Sequence, residues 1–276
     1  MLEFSRASQF YSINGNDTKM PNLIQIDATR PGIAIVALNR PERRNALCIA
    51  MLDELCDAIE TMAAAGSARV VILRGAGPIF SSGLDLAEAS NPELIQRSAR
   101  AVARALLLMR NTSLVTIAAA HGGAYAGGAG LMAACDMAIG TVDMMVGFPE
   151  ARRGLLPALI CAVLSPKVRE GDLRELFLVG NPINASRAQQ IGLLQRVVPT
   201  DGLMEVAIEM AQGILAGGPE TIAATKALLN QAYVPPDAIS TEHMIELHLG
   251  ARHSVEATEG LAAFLEKRSP NWMNPL

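Results

Sequence analysis

Apolar and polar positions alternate in short blocks along this 276-residue chain. Leu23–Ile26 and Ile33–Leu38 are brief, β-branched and separated by Pro31-Gly32, which predicts two strands. From Ile49 to Ala65, Met51, Leu52, Leu55, Cys56, Ile59 and Met62 recur at spacings of three and four. That period predicts an amphipathic helix, ended by Gly66. Val70–Leu73 is wholly apolar, as in a strand buried on both faces. A helix is predicted over about 93–109 and a strand over Leu114–Ala120. A glycine-rich stretch follows, then a helix at Leu131–Cys135 and short strands at Met137–Ile139 and Met145–Gly147. Beyond Thr200 the period is helical throughout, over about 202–216, 219–233 and 237–266. Alternation followed by a helical tail predicts an α/β core at 21–200 with a helical module at 201–276. Residues 1–20 fit neither pattern and are expected to form a flexible arm.

Composition narrows the class. Half of the residues are hydrophobic and 18% are charged, which excludes a disordered chain. The net charge of −4 offers no field for nucleic acid. The apolar run Leu155–Leu164 spans ten residues and contains Pro157, whereas a membrane span needs about 20, so no membrane partner is expected. The four cysteines form no CxxC pair, which predicts reduced thiols and a cytoplasmic location. His243, His248 and His253 are five apart and spread around a helix, and there is no HExxH, so no metal site is expected.

Two glycine-rich loops carry the candidate chemistry. Phe80-Ser81-Ser82-Gly83-Leu84-Asp85-Leu86 follows one predicted strand; His121–Gly130, with five glycines in ten residues, follows another and opens a helix. Glycine permits close backbone approach, and a helix N-terminus offers unpaired N–H groups at the positive end of the dipole. Two such loops can aim two N–H donors at one oxygen, which is an oxyanion hole; the same glycines also suit tight turns between packed layers. Neither loop fits a dinucleotide or P-loop pattern.

The ordered set of motifs resembles the crotonase superfamily, the enoyl-CoA hydratases and isomerases, over about residues 22–271. It comprises Leu38–Leu47, the Phe80–Leu86 loop, Ile117–Gly122 with Ala126-Gly127-Gly128 and Ala134-Cys135-Asp136, and Gly147-Phe148-Pro149-Glu150 with Gly154–Pro157. Ala185–Leu194 with Val197–Pro199 and Glu259–Arg268 complete it. The resemblance implies a crotonase-like spiral of ββα units with a C-terminal helical trimerisation region. It implies a homotrimer or a dimer of trimers acting on an acyl-CoA substrate in fatty acid metabolism, with no cofactor beyond the coenzyme A of that substrate. It places the oxyanion donors on the N–H groups of Leu84 and Gly127 and the catalytic carboxylate on Glu150. Arg43, Ala46, Ser82, Asp85, Leu86, Gly128, Gly130, Pro149 and Leu156 match substrate- and CoA-binding positions. Phe264 and Lys267 match positions that in relatives reach the CoA of a neighbouring subunit.

One departure matters. The hydratases carry a second carboxylate six residues before the Cys-Asp pair's aspartate, and here that position is Gly130. A second departure, Pro157-Ala158-Leu159-Ile160, predicts a bulkier, more apolar wall. A lone carboxylate in an apolar pocket is expected to have a raised pKa, suited to proton transfer near neutral pH. The pattern also resembles bacterial hydratases in which the loop backbone helps to hold the water, so hydration of the 2,3-double bond is the leading expectation. A Δ3,Δ2-enoyl-CoA isomerase using one Glu, or a non-catalytic CoA-thioester-binding relative, is the alternative.

Overall fold

A computed structural model describes residues 22–233 and 240–273. The strands and helices alternate as β1 (Ile24–Arg30), β2 (Gly32–Leu38), α1 (Ile49–Ala65), β3 (Ala68–Gly75), α2 (Leu86–Ala89), α3 (Ile95–Asn111), β4 (Val115–Ala120), β5 (Gly123–Tyr125) and α4 (Gly127–Ala134). They continue as β6 (Met137–Thr141), β7 (Met145–Gly147), α5 (Ala158–Leu164), α6 (Glu170–Arg174), β8 (Ile183–Asn184), α7 (Ala185–Gln190) and β9 (Arg196–Val198). The helical tail is α8 (Leu203–Leu215), α9 (Pro219–Ala232), α10 (Thr241–Arg252) and α11 (Val255–Glu266). The expected arm at 1–20 lies outside the described residues.

The main sheet has the order β1-β2-β3-β4-β6-β9 and is parallel from β2 onward; β1 pairs antiparallel at the edge. A smaller sheet has the order β5-β7-β8. Each turn of the chain gives one strand to the large sheet, one to the small sheet, then a helix: β4-β5-α4 and β6-β7-α5. Earlier turns mark the second strand only by single bridges, Leu47 with Leu84 and Ser81 with Ala124. This is the expected spiral of ββα units.

The pleat explains the apolar run in β3. Val71 and Leu73 face a core with Leu52, Leu55, Ile59, Leu106 and Met109 of α1 and α3. Val70 and Ile72 face the opposite side, where Leu203, Ala207 and Ala211 of α8 cover the sheet. Both faces of a parallel sheet must be covered, so an early module of the helical tail serves as the second layer.

Two expectations change. The helix predicted from Leu131 begins at Gly127. Glycine disfavours helix by about 1 kcal/mol per residue, but packing overrides it: a Cβ on Gly128 would lie 2.6 Å from the Ser81 side chain. The single helix expected over 237–266 is two helices, and its first three residues lie outside the described ones. The break falls at His253, after which Ser254 caps α11 by accepting from the Ala257 N–H at 3.0 Å.

Candidate active site

The motif loops lie side by side. Leu47 N–H donates to Gly83 O at 2.8 Å and Asp85 N–H to Leu47 O at 3.0 Å. Ser81 N–H donates to Gly123 O, and Tyr125 N–H to Ser81 O. Segments 44–47, 81–85 and 123–126 therefore form three parallel rungs. The N–H of Leu84, between the two bonded positions, makes no hydrogen bond among the described residues, and neither does that of Gly127, the first residue of α4. A Cβ placed on Gly83 would lie 3.4 Å from Gly127 N, so the two loops that carry these donors touch.

Ala126 sets the aim of the second donor. It has φ 49° and ψ −127°, a conformation costly for a residue with a Cβ. Its own N–H is held by Gly147 O at 2.8 Å and its carbonyl accepts from Gly130 N–H at 2.9 Å. Those bonds fix the peptide that presents the Gly127 N–H. Gly83, at φ 94°, has no room for a side chain: a Cβ would lie 2.8 Å from Tyr125 O and 2.9 Å from Ala126 Cβ. Gly83→Ala is expected to displace the Ala126-Gly127 peptide and lower kcat by about tenfold or more, measured beside a melting curve that confirms folding.

Glu150 follows β7 and starts a single 3-10 turn, with its carbonyl taken by the N–H groups of Arg153 and Leu155, each at 2.9 Å. Its side chain is only 6% exposed and Oε2 has no hydrogen-bond partner. Burial pushes its pKa up from 4.5 to about 7, only partly opposed by a backbone hydrogen bond and the Arg153 charge. A surface ion pair is thereby excluded. Arg152 instead donates to Val179 O and Asn181 Oδ1, and the Arg153 guanidinium lies 4.0 Å from the centre of the Phe264 ring.

Gly130 lies one turn into α4, where a Cβ would meet Ile160 Cγ1 at 3.1 Å. The apolar residue of the Pro157–Ile160 segment thus packs on the position where a second acid would start. Gly128 is equally enclosed, against Ser81. Pro149 is half-buried beside Glu150, and Leu156 is exposed, its carbonyl within 3.3 Å of His248 Nδ1.

The proposed CoA-binding positions divide. Ala46, Ser82, Asp85 and Leu86 are all on the rungs or at the start of α2, and Arg43 is exposed at their edge. Asp85 caps α2 through Ala87 N–H and pairs with Arg40 at 2.5 Å. Burial raises its pKa, but that pairing and the cap hold it below the usual value. Phe264 and Lys267 lie elsewhere, on α11 and at its C-cap, and α11 packs on residues 151–153. Within one chain they do not join the loop edge.

Sequence reasoning passed over the residues that lock the rungs. Asn45 is fully buried, and its Nδ2 donates to the carbonyls of Ala76, Ile79 and Phe80. Arg40 ties Ala46 O to Asp85. Both belong to the Leu38–Leu47 motif before α1, which carries the resemblance without assigning either residue a role.

Residues 28–275 match the enoyl-CoA hydratase/isomerase family model. The chain is 33% identical to an enoyl-CoA hydratase structure from Mycobacterium avium, with a TM-score of 0.82 over 92% of this chain and 100% of that one. A monofunctional enoyl CoA isomerase from M. smegmatis is 31% identical, with a TM-score of 0.68 over 82% and 99%. The mitochondrial enoyl-CoA hydratase domain-containing protein 3 of Danio rerio is 31% identical over 88% of this chain and 85% of its own length. Matched almost end to end and carrying its motifs on adjoining loops, the chain belongs to the enoyl-CoA hydratase/isomerase family.

Proposed function

We propose that the chain shifts the double bond of a 3-enoyl-CoA thioester to the 2-position, with Glu150 as the single proton carrier. The observation that carries this reading is the packing of Ile160 on Gly130, which leaves Glu150 as the buried carboxylate on the loop after β7, the strand whose Gly147 carbonyl holds the Ala126 N–H. Ionised Glu150 takes a proton from C2. The C–H electrons pass into a dienolate whose oxygen accepts from Leu84 and Gly127 N–H. The protonated acid then returns its proton to C4, and the double bond settles between C2 and C3. Preformed donors favour the charge that develops on that oxygen, and an acid with a pKa near 7 can both take and return a proton at neutral pH.

Hydration of a 2-enoyl-CoA is the second reading, favoured by the names of the relatives from Mycobacterium avium and Danio rerio. The two readings need opposite states of Glu150. As a base it must be ionised, so kcat/KM for a 3-enoyl-CoA should rise with pH through about 7 and then level off. As the acid that protonates C2 during hydration, it must hold its proton, so kcat/KM for a 2-enoyl-CoA should fall above about 7. Incubation with trans-2- and cis- and trans-3-enoyl-CoAs, followed by mass spectrometry and NMR, tests the assignment. An unchanged mass with a moved double bond supports isomerisation; a gain of one water with no shift overturns it.

We also propose an assembly in multiples of three. Leu228, Leu229 and Tyr233 on and after α9, with Leu265, Trp272 and Met273, remain exposed in one chain. That much apolar surface is typical of an interface. Sedimentation equilibrium at micromolar concentration should give three or six times 29.2 kDa; a single-chain mass would end the proposal. The four cysteines carry no disulfide, which supports a reducing compartment such as the cytoplasm. Among the described residues no helix is long and apolar enough to cross a membrane.

A further inference from the structure

The resemblance gives Ser82 and Leu84 roles in the first glycine-rich loop and gives Ser81 none. Ser81 is fully buried, at 0% exposure, and its hydroxyl is used in both directions. Oγ donates to the Asn45 carbonyl at 2.8 Å and accepts from the Gly83 N–H at 3.3 Å. Buried hydroxyls are almost always satisfied, so the informative part is which groups this one joins.

On one side, those groups belong to the first donor. The Leu84 N–H is carried by the peptide that joins Gly83 to Leu84. The carbonyl of that peptide accepts from Leu47 N–H at 2.8 Å, and the Ser81 hydroxyl holds Gly83 at its other end. Glycine has no Cβ to restrict it, and Gly83 sits at φ 94°, so hydrogen bonds at both ends restrain this residue. Asn45 is a firm anchor for the hydroxyl. It is fully buried and left-handed at φ 51°, and its side chain joins Arg40 N–H and three carbonyls. On the other side, the same side chain meets the second donor's helix. A Cβ on Gly128, the residue after Gly127, would lie 2.6 Å from both Cβ and Oγ of Ser81. The Ser81 main chain bonds to the loop before that helix, through Gly123 O at 3.2 Å and Tyr125 N–H at 3.0 Å. Ser81 thus touches the residue before one donor and the residue after the other.

We infer that Ser81 is a positioning residue: its hydroxyl sets the spacing at which the N–H groups of Leu84 and Gly127 meet a thioester oxygen. The inference rests on the reading of those two groups as oxyanion donors. Preformed donors aimed at one oxygen lose effect steeply when misplaced, and a displacement of about 1 Å can cost about 10²-fold in rate. Ser81 exchanges no proton with the substrate; it acts through the two peptides.

The test is the infrared band of bound hexanoyl-CoA with an isotope label at the thioester carbonyl, a saturated probe that cannot be isomerised or hydrated. In wild type, hydrogen bonds from both donors should lower the carbonyl stretch relative to the free thioester. In Ser81→Ala the Cβ still backs Gly128, but Gly83 N–H loses its acceptor, so the band should move back toward the free position. With the enoyl-CoA that wild type converts, kcat should fall about tenfold while KM stays within about twofold. A role in folding alone would lower the melting temperature and leave the band of the bound probe in place. Ser81→Cys keeps the shape of the side chain and weakens both hydrogen bonds. It should show the same displacement to a smaller extent, and it decides the matter if the alanine variant does not fold. A wild-type band in the variants that fold overturns the inference. An undisplaced band in wild type overturns the donor reading and the inference together. A band lowered in wild type and relaxed in the variants, with no turnover of any enoyl-CoA, would overturn the proposed reaction and leave the role of Ser81 standing.

Discussion

Glu150→Gln is expected to lower kcat by about 10²–10⁴-fold, the usual worth of a positioned general acid or base. Gln preserves size and hydrogen bonding but cannot take up or return a proton. Acyl-CoA affinity should change little, because the loops at 43–47 and 81–86 do not include Glu150. The same change should stabilise the fold at pH 8. The folded chain holds the Glu150 proton more tightly than the unfolded chain, whose ordinary value is 4.5. Stability is therefore full below about 4.5, falls as pH rises, and is lowest above about 7. Removing the buried charge should recover on the order of 2–3 kcal/mol there. Stopped assays and melting curves at pH 5 and pH 8 check both halves. A Gln variant with near wild-type turnover would move the proton transfer to another group, with Asp85 and Asp143 tested next.

Gly127→Pro is expected to cost about 10²–10³ in kcat, the loss typical of one oxyanion donor. Proline suits the first position of a helix, so α4 itself should tolerate it. The ring removes the N–H and also conflicts with the Ala126 backbone, since a residue before proline favours extended ψ values. Gly127→Ala is the control. Its Cβ would meet Leu84 Cγ at 3.5 Å, an ordinary contact, and the N–H would remain. Turnover in the alanine variant should stay within about tenfold of wild type. If the proline variant folds and turns over equally well, the second donor lies elsewhere.

Together with the Glu150 result, these variants separate two contributions. In the proposed reaction the N–H donors of Leu84 and Gly127 act on the thioester oxygen and Glu150 on the carbon chain. A loss in both variants supports an enolate path; a loss in Glu150→Gln alone would point to proton transfer without a held enolate.

Much of the architecture was legible in the order of residues. The helix over Ile49–Ala65 was readable because its buried positions repeat at helical spacing and Gly66 ends it in a left-handed conformation at φ 59°. The strand at 70–73 was readable because both of its faces are covered, which makes every position apolar. The paired loops were legible as glycine-rich stretches after strands, and Glu150 as the acid of its motif. The resemblance also marked Gly130 as the position where the hydratases carry a second carboxylate.

Tertiary packing decided the rest, because the deciding neighbours are far apart in sequence. Helix α4 begins four residues early, and its opening glycines are there for packing: Ser81 leaves no room for a side chain on Gly128. The carboxyl of Glu150 has a pKa near 7 because the fold seals it without a partner, an effect no local spacing encodes. At Gly130, where the resemblance expects a second acid in the hydratases, Ile160, thirty residues on, occupies the space a side chain would enter. The packing of α10 buries Arg252 to 7% exposure with no acid paired to it among the described residues, because the elements that cover it are far away in sequence.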